Sequence, residues 1–269
     1  MAHFSESQPA QVRGFIPPRT DEERMLMRHI EDLASSAERK GIARYSSFLS
    51  DREQSLAEAA ANRTGCTAFC FDGGYEGAER RVLCIEPEDA WADRPIACVR
   101  VECHLTGSAE MPQHKDYLGS LLGLAIKREG VGDIVLGKDG TAFVFALRPI
   151  AELICRELCS VGRVSVSTEL LEADLLPQFE QPEREICSAT VSSLRLDAVL
   201  AAMLRCSRGM AAELIAAGRV EINHLPVSSA GAAVYAQDIF TIRGKGRYQL
   251  TALLGKSKKG RQIIEYFRF

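Results

Sequence analysis

Residues 194–223 read LRLDAVLAAMLRCSRGMAAELIAAGRVEIN, and their pattern predicts the fold of the C-terminal part of the chain. Its first half carries apolar side chains at helical spacing, at Leu196, Val199, Leu200, Met203 and Leu204. Ser207 can cap a second helix and Gly218 can end it. The apolar face of that second helix would consist of Ala211, Leu214 and Ile215. We therefore predict two short packed helices, followed by a strand over 220–223.

Three arginines lie at the ends of these predicted helices: Arg195, Arg208 and Arg219. An arginine fork binds phosphate through two hydrogen bonds, and a helix N-terminus adds free backbone N–H groups. The three arginines are therefore candidates for contacts with a nucleic-acid backbone.

From Leu194 to Ile239 the pattern resembles the S-four (S4, or αL) RNA-binding domain. The resemblance implies an RNA-binding surface that contains Arg195, Ser207, Arg208, Arg219 and Asn223. One departure is Met210, because the family usually has a basic residue at this position. A basic run and a basic tail can compensate, and they add the RNA-binding candidates Arg243, Lys245, Arg247, Lys256, Lys258 and Lys259.

The charge of the chain is divided unevenly. The net charge is −3, yet residues 190–269 hold 12 basic and 5 acidic side chains, a net charge of +7. Residues 1–189 hold 21 basic and 31 acidic side chains, a net charge of −10. A basic module on an acidic body is typical of a protein that binds a polyanion through that module.

Composition and cysteine spacing exclude several classes of protein. The 269 residues are 46% hydrophobic and 26% charged, which is typical of a globular protein. The chain has no run of 18 apolar residues and its N-terminus lacks the order of a signal peptide, so we predict a cytoplasmic protein without membrane contact. The nine cysteines form no CxxC pair, and we interpret them as reduced core thiols. Neither a metal nor a cofactor is expected.

The N-terminal region is predicted to contain two helices and a β-hairpin. Thr20 caps the first helix, and Ser50 with Glu53 forms a capping box for the second helix, which ends near Arg63. Strands over 67–71 and 81–85 flank a loop with three glycines over 72–80. Such a loop fits either an ordinary hairpin turn or a backbone that approaches a ligand closely.

The central region is predicted to follow the order βαββαβ, which is typical of a ferredoxin-like fold. The strands are expected over 96–105, 131–136, 141–146 and 161–167, and the helices over 114–127 and 149–159, with a turn at 138–140. RNA-recognition motifs share this topology and stack bases on aromatic rings. The outer face of the first strand carries no aromatic residue, and Phe143 and Phe145 of the third strand favour core packing.

A second, weaker RNA surface is predicted on the central domain, at His114, Lys115, Lys127 and Arg128. These four residues flank one predicted helix. His114 could serve as a catalytic base, but no nucleophile or paired carboxylate accompanies it in the sequence.

Further motifs widen the family resemblance. They read FDGGYEGAER over 71–80, HKDYLGSLLGL over 114–124, IKRE over 126–129 and GDI over 132–134. In this order, and with the S4 pattern, they resemble the YlmH family of bacterial S4-domain proteins from about residue 45 onward. The resemblance implies an N-terminal α/β region, a central RNA-binding-like domain and an S4 domain. Members are similar to factors that bind the large ribosomal subunit; they have been implicated in rescue of stalled nascent chains and are encoded near cell-division genes.

The expected fold is α+β, with an N-terminal region over 1–95 and a ferredoxin-like (RRM-like) central domain over 96–168. An acidic linker over 169–188 and an S4 domain with a basic tail over 189–269 follow. We expect a monomeric, non-enzymatic protein that binds ribosomal or transfer RNA on the large ribosomal subunit. Two alternatives stay open. One is a pseudouridine-synthase-like RNA-modifying enzyme, because Arg195-Leu196-Asp197 resembles the catalytic motif of such enzymes. The other is an adaptor linked to cell division.

Overall fold

The computed structural model describes residues 13–88, 95–105, 110–137, 140–172, 175–179 and 184–269. The chain forms two compact units. The first unit spans Pro17–Gln181, and the second consists of residues 182–269 with the N-terminal segment that ends at Ile16. Within the described ranges, every helix is too short or too polar to cross a membrane.

The N-terminal part of the first unit packs two helices on a three-stranded antiparallel sheet. Its elements are α1 (Asp21–Lys40), β1 (Arg44–Leu49), α2 (Asp51–Arg63), β2 (Phe69–Asp72) and β3 (Arg81–Ile85), and the strand order is β1-β3-β2. The predicted caps are present: Thr20 accepts a hydrogen bond from the Glu23 N–H, and Ser50 and Glu53 form the capping box. Apolar residues of α1 and α2 fill the core against β3.

Strand β1 is absent from the sequence-based prediction, which placed only helices before Arg63. The strand carries a buried serine, Ser46, whose hydroxyl oxygen accepts a hydrogen bond from the Leu83 N–H at 2.9 Å. The pairing of β1 with β3 is irregular between Tyr45 and Phe48. A polar residue in the core and an irregular register both hide the two-residue alternation by which a strand is recognised.

The central part of the first unit has the predicted ferredoxin-like order. Its elements are β4 (Ile96–His104), α3 (His114–Gly123), β5 (Val131–Leu136), β6 (Ala142–Leu147), α4 (Arg148–Glu157), β7 (Ser160–Val161) and β8 (Val164–Leu171). The antiparallel strands lie in the order β5-β6-β4-β8-β7. The sheet packs one face on α3 and α4, with Val99, Val144 and Ile154 fully buried. The prediction of a βαββαβ unit is confirmed, and β7 is an added edge strand.

Two predicted boundaries in this region are wrong. Helix α3 ends at Gly123 and does not reach Lys127, because Ala125 adopts a left-handed backbone with φ of +59°. Strand β8 continues to Leu171, so the first residues of the predicted acidic linker belong to the sheet, where Glu169 pairs with Arg100 at 2.6 Å. Residues 138 and 139 of the predicted turn lie outside the described ranges.

The second unit contains two helices on a six-stranded antiparallel sheet. Its elements are β9 (Cys187–Val191), α5 (Leu196–Leu204), α6 (Arg208–Ala216), β10 (Val220–Ile222), β11 (Leu225–Pro226), β12 (Ile239–Ile242), β13 (Gly246–Lys256) and β14 (Gln262–Arg268). The strand order is β11-β10-β12-β13-β14-β9. The two predicted helices are confirmed, and their apolar faces, with Leu196, Leu200 and Ile215, are buried against the sheet.

The residues that the sequence suggested as a basic tail belong to the sheet of the second unit. Residues 246–268 form the long hairpin of β13 and β14, and β14 also pairs with β9. The pairing of β13 with β14 shifts register twice, between Leu250 and Ala252 and between Leu254 and Lys256. Such shifts break the alternation of apolar and polar residues, which is why the sequence did not indicate these strands.

Candidate nucleic-acid interface

A buried carboxylate joins two of the predicted RNA-binding arginines. Asp197 lies in the first turn of α5, Arg195 is the residue that precedes this helix, and Arg208 opens α6. Arg195 donates to Asp197 from Nε at 3.2 Å and from Nη2 at 3.3 Å. Arg208 donates to the same carboxylate from Nη2 at 2.6 Å. The three side chains therefore form one cluster, named here the Asp197 cluster.

The electrostatics of the Asp197 cluster favour an anion outside it. The Asp197 side chain is 9% exposed, whereas those of Arg195 and Arg208 are about half exposed, at 50% and 53%. Burial raises the pKa of Asp197, but the hydrogen bonds and charges of the two arginines outweigh it and hold this pKa below its usual value. One carboxylate charge thus orients two guanidinium groups, and one positive charge is left over for a ligand such as phosphate.

The N-terminus of α6 adds to the same surface. Ser207 caps this helix, because its Oγ accepts a hydrogen bond from the Met210 N–H at 3.2 Å. Ser207 is therefore occupied in holding the helix end, next to Arg208. Met210 is 53% exposed on this turn, so an apolar side chain stands in solvent where the family usually has a basic one.

Four further predicted residues lie at the end of the sheet that follows the C-terminus of α6. Arg219 follows that helix, and its guanidinium donates to the backbone oxygen of Arg243 at 3.0 Å, while the Arg243 N–H donates to the Arg219 oxygen at 2.9 Å. Lys245 is exposed in the turn between β12 and β13, and Arg247 lies just after it. These side chains, Arg219, Arg243, Lys245 and Arg247, are the second basic group of this unit.

The three predicted lysines lie far from that group. Lys256 ends β13, and Lys258 and Lys259 occupy the turn before β14, and all three are exposed. Arg247 and Lys256 are nine residue steps apart along β13, which corresponds to roughly 30 Å. The turn is instead close to the end of β9, because Arg261 donates to the Thr190 oxygen at 3.0 Å. The chain leads from there into Arg195, so the lysines belong to the same end of the sheet as α5.

Asn223 directly follows β10, and its side chain binds the turn before β12. Its amide nitrogen donates to Asp238 at 2.8 Å, and its amide oxygen accepts from the Ile239 N–H at 2.8 Å. Its backbone is left-handed, with φ of +49°. Both ends of the amide hold the turn before β12, and contact of this side chain with RNA stays a prediction.

An arginine that sequence reasoning missed anchors the N-terminal segment to this unit. Arg13 donates to both carboxylate oxygens of Asp238, at 2.8 and 2.9 Å, and to the Ala233 oxygen at 2.8 Å. Its guanidinium also lies 4.7 Å from the ring centre of Tyr235. The Asp238 side chain is 1% exposed, and its hydrogen bond raises the pKa of Arg13. Arg13 and Asp238 are 225 residues apart, so no local pattern could have paired them.

Three of the four residues of the second predicted RNA surface are exposed to solvent. His114 and Lys115 are exposed in the first turn of α3, and Lys127 is exposed before a short 3-10 helix. Arg128 points inward, where it donates to the backbone oxygens of Val131 and Gly132. Burial, and then the charge of Arg80, lower the pKa of Arg128. Arg128 therefore supports the start of β5.

The sheet face that an RNA-recognition motif uses for bases is covered in the central domain. Phe145 is fully buried, and the Tyr75 ring stacks on it at 4.6 Å. Phe179 packs edge-on against Phe143, Phe145 and Tyr75 at 5.0–5.5 Å. Core packing, the interpretation that the sequence favoured for Phe143 and Phe145, agrees with these contacts.

The glycine-rich loop is held by the central domain. Asp133 accepts hydrogen bonds from the Tyr75 hydroxyl at 2.9 Å, the Glu79 N–H at 2.7 Å and the Arg80 N–H at 3.2 Å. Gly74 has φ of +89°, and a Cβ there would lie 2.6 Å from the Phe145 ring. Gly74 therefore allows the loop backbone to lie close to the Phe145 ring. The sequence motifs over 71–80 and 132–134 contact each other through Asp133.

Comparisons with known proteins identify relatives of this chain. A family model described as "Putative RNA-binding domain in YlmH" matches residues 109–174, and the S4 domain model matches residues 194–239. The chain is 32% identical over 224 residues to the "Ribosome-associated protein quality control protein P2" of Bacillus subtilis (strain 168), which covers 82% of this chain and 85% of that protein. A solved structure titled "Cell division protein ylmH from Streptococcus pneumoniae" aligns with 59% of this chain and 96% of that chain, at 16% identity and a TM-score of 0.48.

Proposed function

The chain belongs to the YlmH family of S4-domain RNA-binding proteins, and from this premise we propose that it binds ribosomal or transfer RNA on the large ribosomal subunit. The name of the Bacillus subtilis relative, a ribosome-associated quality control protein, supports a role in handling stalled nascent chains. In this proposal the protein acts in the cytoplasm as a monomer, and it acts by binding alone.

The Asp197 cluster is the observation that carries the proposal. It places two half-exposed guanidinium groups beside the capped N-terminus of α6 and fixes them through one buried carboxylate. Free backbone N–H groups and the helix dipole favour a phosphate at such an end. Guanidinium groups that are held before binding lose less conformational freedom when they bind. The cluster therefore anchors an RNA backbone.

The remaining basic residues extend this anchor within the proposal. Lys256, Lys258 and Lys259 add charge on the side of Arg195, and the second basic group adds charge beyond the far end of α6. The central domain, over 96–168, supplies a second contact through His114, Lys115 and Lys127. Two linked contacts on one RNA raise the affinity through effective concentration.

Arg208→Ala tests the proposal in the full chain. Alanine is preferable to glutamate, because a new carboxylate would lie beside Asp197 and would disturb the fold by repulsion. A charge-assisted hydrogen bond contributes about 1.5–3 kcal/mol, so we expect ribosomal RNA to bind roughly 10- to 150-fold more weakly. Binding is measured by co-sedimentation with large ribosomal subunits and by titration of labelled ribosomal RNA.

Arg24→Ala is the matched control for this experiment. Arg24 is an exposed arginine of α1 that pairs with Asp21 at 2.7 Å. Its loss removes the same charge from the chain, and we expect no change in affinity. If the Arg208 variant folds and binds large subunits as tightly as the parent protein, the Asp197 cluster is not the anchor and the proposal is wrong.

A further inference from the structure

Two aromatic rings and two arginines pack together at one end of the sheet in the second unit. The Arg184 guanidinium lies 4.6 Å from the ring centre of Phe267 and 5.2 Å from that of Phe269. The Arg247 guanidinium lies 4.4 Å from the ring centre of Phe269. The two rings meet at 4.9 Å with an angle of 62°. These four residues are named here the arginine–aromatic cluster.

The cluster is partly fixed and partly open to solvent. Phe267 is buried, and the Phe269 N–H donates to the Arg247 oxygen at 3.1 Å, which holds the second ring in place. Phe269 itself is 41% exposed, and Arg184 is exposed beside it. An exposed phenylalanine ring that is held in position and flanked by cations is a surface on which an unpaired base can stack.

Positive charge concentrates around this end of the sheet. Strand β13 begins here and β14 ends here, and β10 begins beside the end of β12. The strand ends therefore bring together Arg184, Arg219, Arg243, Lys245, Arg247 and Arg268. Glu185 is the acidic neighbour of Arg184 in the sequence. Six cations at one edge repel one another, and a bound polyanion relieves that repulsion.

We propose that the arginine–aromatic cluster binds an unpaired nucleotide of the RNA, with its base stacked on Phe269 and its phosphate between Arg184 and Arg247. Aromatic rings and guanidinium planes are the surfaces on which unpaired bases stack, whereas a paired helix presents only its backbone and groove edges. This inference rests on the proposed function and names the kind of RNA that the S4 unit selects.

The cluster is separate from the Asp197 cluster. Arg208 lies at one end of α6, whose nine residues span roughly 14 Å. Arg219 follows the other end of α6, at the same end of the sheet as the arginine–aromatic cluster. One RNA can therefore contact both places, with its paired part on the Asp197 cluster and an unpaired nucleotide at Phe269. A junction between a stem and a single strand is the RNA feature that fits both contacts.

Two labelled RNAs test the inference on the full chain: a blunt-ended hairpin, and the same hairpin with a short single-stranded adenosine tail. We expect the parent protein to bind the tailed hairpin more tightly. Phe269→Leu keeps an apolar side chain but removes the ring, and it should weaken binding of the tailed hairpin roughly tenfold. It should leave binding of the blunt hairpin unchanged. Phe269→Tyr keeps the ring and should behave like the parent protein.

Two controls separate the possible failures. Phe15→Leu removes an exposed phenylalanine elsewhere in the same unit, 52% exposed, and should change neither affinity. Arg208→Ala should weaken the binding of both RNAs; if it weakens the binding of neither, the proposed function itself is wrong. The stacking site alone is wrong if Arg208→Ala weakens the binding of both RNAs but Phe269→Leu does not affect the two RNAs differently. Should Phe269→Leu unfold, Arg184→Gln takes its place, with the same loss of preference for the tailed hairpin expected.

Discussion

Replacing Asp197 by asparagine tests how the Asp197 cluster contributes to RNA affinity, because two physical effects predict opposite changes in that affinity. Asparagine has the same shape, but it removes the negative charge that holds Arg195 and Arg208. A purely electrostatic surface would bind RNA more tightly after this change, since one repulsive charge is gone. At a distance of about 8 Å through water that gain is about 0.5 kcal/mol.

The loss of orientation is larger than this gain. Each arginine side chain carries about 2 kcal/mol of rotamer entropy. The three contacts from Arg195 and Arg208 to Asp197, at 2.6–3.3 Å, restrict both side chains before RNA binds. If asparagine releases about half of this restriction, RNA binding costs about 2 kcal/mol more. The net expectation is an affinity roughly tenfold weaker, equivalent to about 1.5 kcal/mol.

The assay is fluorescence anisotropy of a labelled ribosomal RNA fragment, with folding checked by circular dichroism. Glu213→Gln is the matched control, because Glu213 is an exposed carboxylate on α6. Its loss removes the same charge and should leave the affinity unchanged or slightly higher. If Asp197→Asn binds RNA as tightly as the parent protein or more tightly, Asp197 does not position the arginines.

The pH dependence follows from the same carboxylate. The folded pKa of Asp197 is lowered, so its contribution to stability is complete above the unfolded value, near pH 4, and is lost as pH falls through the folded pKa. Between pH 5 and 8 this group should cause no change in stability or affinity. An acid titration followed by circular dichroism should show a less steep loss of stability for Asp197→Asn than for the parent protein.

Three further substitutions test the packing. Arg13→Ala leaves the buried Asp238 without its arginine and should destabilise the second unit by about 2–3 kcal/mol in urea unfolding; unchanged stability would show that the N-terminal segment is not anchored. Asp133→Ala removes three hydrogen bonds to the glycine-rich loop and should destabilise the first unit by about 3 kcal/mol, with no change in RNA affinity for the S4 surface. Gly74→Ala forces a side chain against Phe145 in a left-handed backbone and should cost about 3 kcal/mol or more; a thermal midpoint equal to that of the parent protein would contradict the close approach.

Local signals account for the parts of the fold that the sequence predicted. The two S4 helices depend on residues close together in the chain: Ser207 caps α6, and Gly218 ends it with φ of +64°. The central βαββαβ order also follows from local periodicity, since each strand and helix carries its own apolar pattern. Contacts of this kind are visible within a window of a few residues.

Long-range pairing accounts for most of what the sequence missed. Strands β9, β13 and β14 are defined by one another, and two register shifts obscure their pattern. At the candidate site, the sequence suggested Arg195 and Arg208 as separate candidates for phosphate contact. That both share one buried carboxylate depends on side-chain conformations that spacing cannot give. Likewise, the sequence motif that suggested Asn223 for RNA could not show that its amide is used inside a turn.

The salt dependence of RNA binding shows whether the arginines of the Asp197 cluster contact phosphate groups. Each arginine that contacts a phosphate releases a counterion, so the logarithm of the affinity falls linearly with the logarithm of the salt concentration. For the parent protein and ribosomal RNA we expect a steep line. For the double variant Arg195→Ala, Arg208→Ala we expect weaker binding and a slope lower by about 2. Equal slopes for the two proteins, or a flat line for the parent, would contradict the claim that the Asp197 cluster anchors RNA.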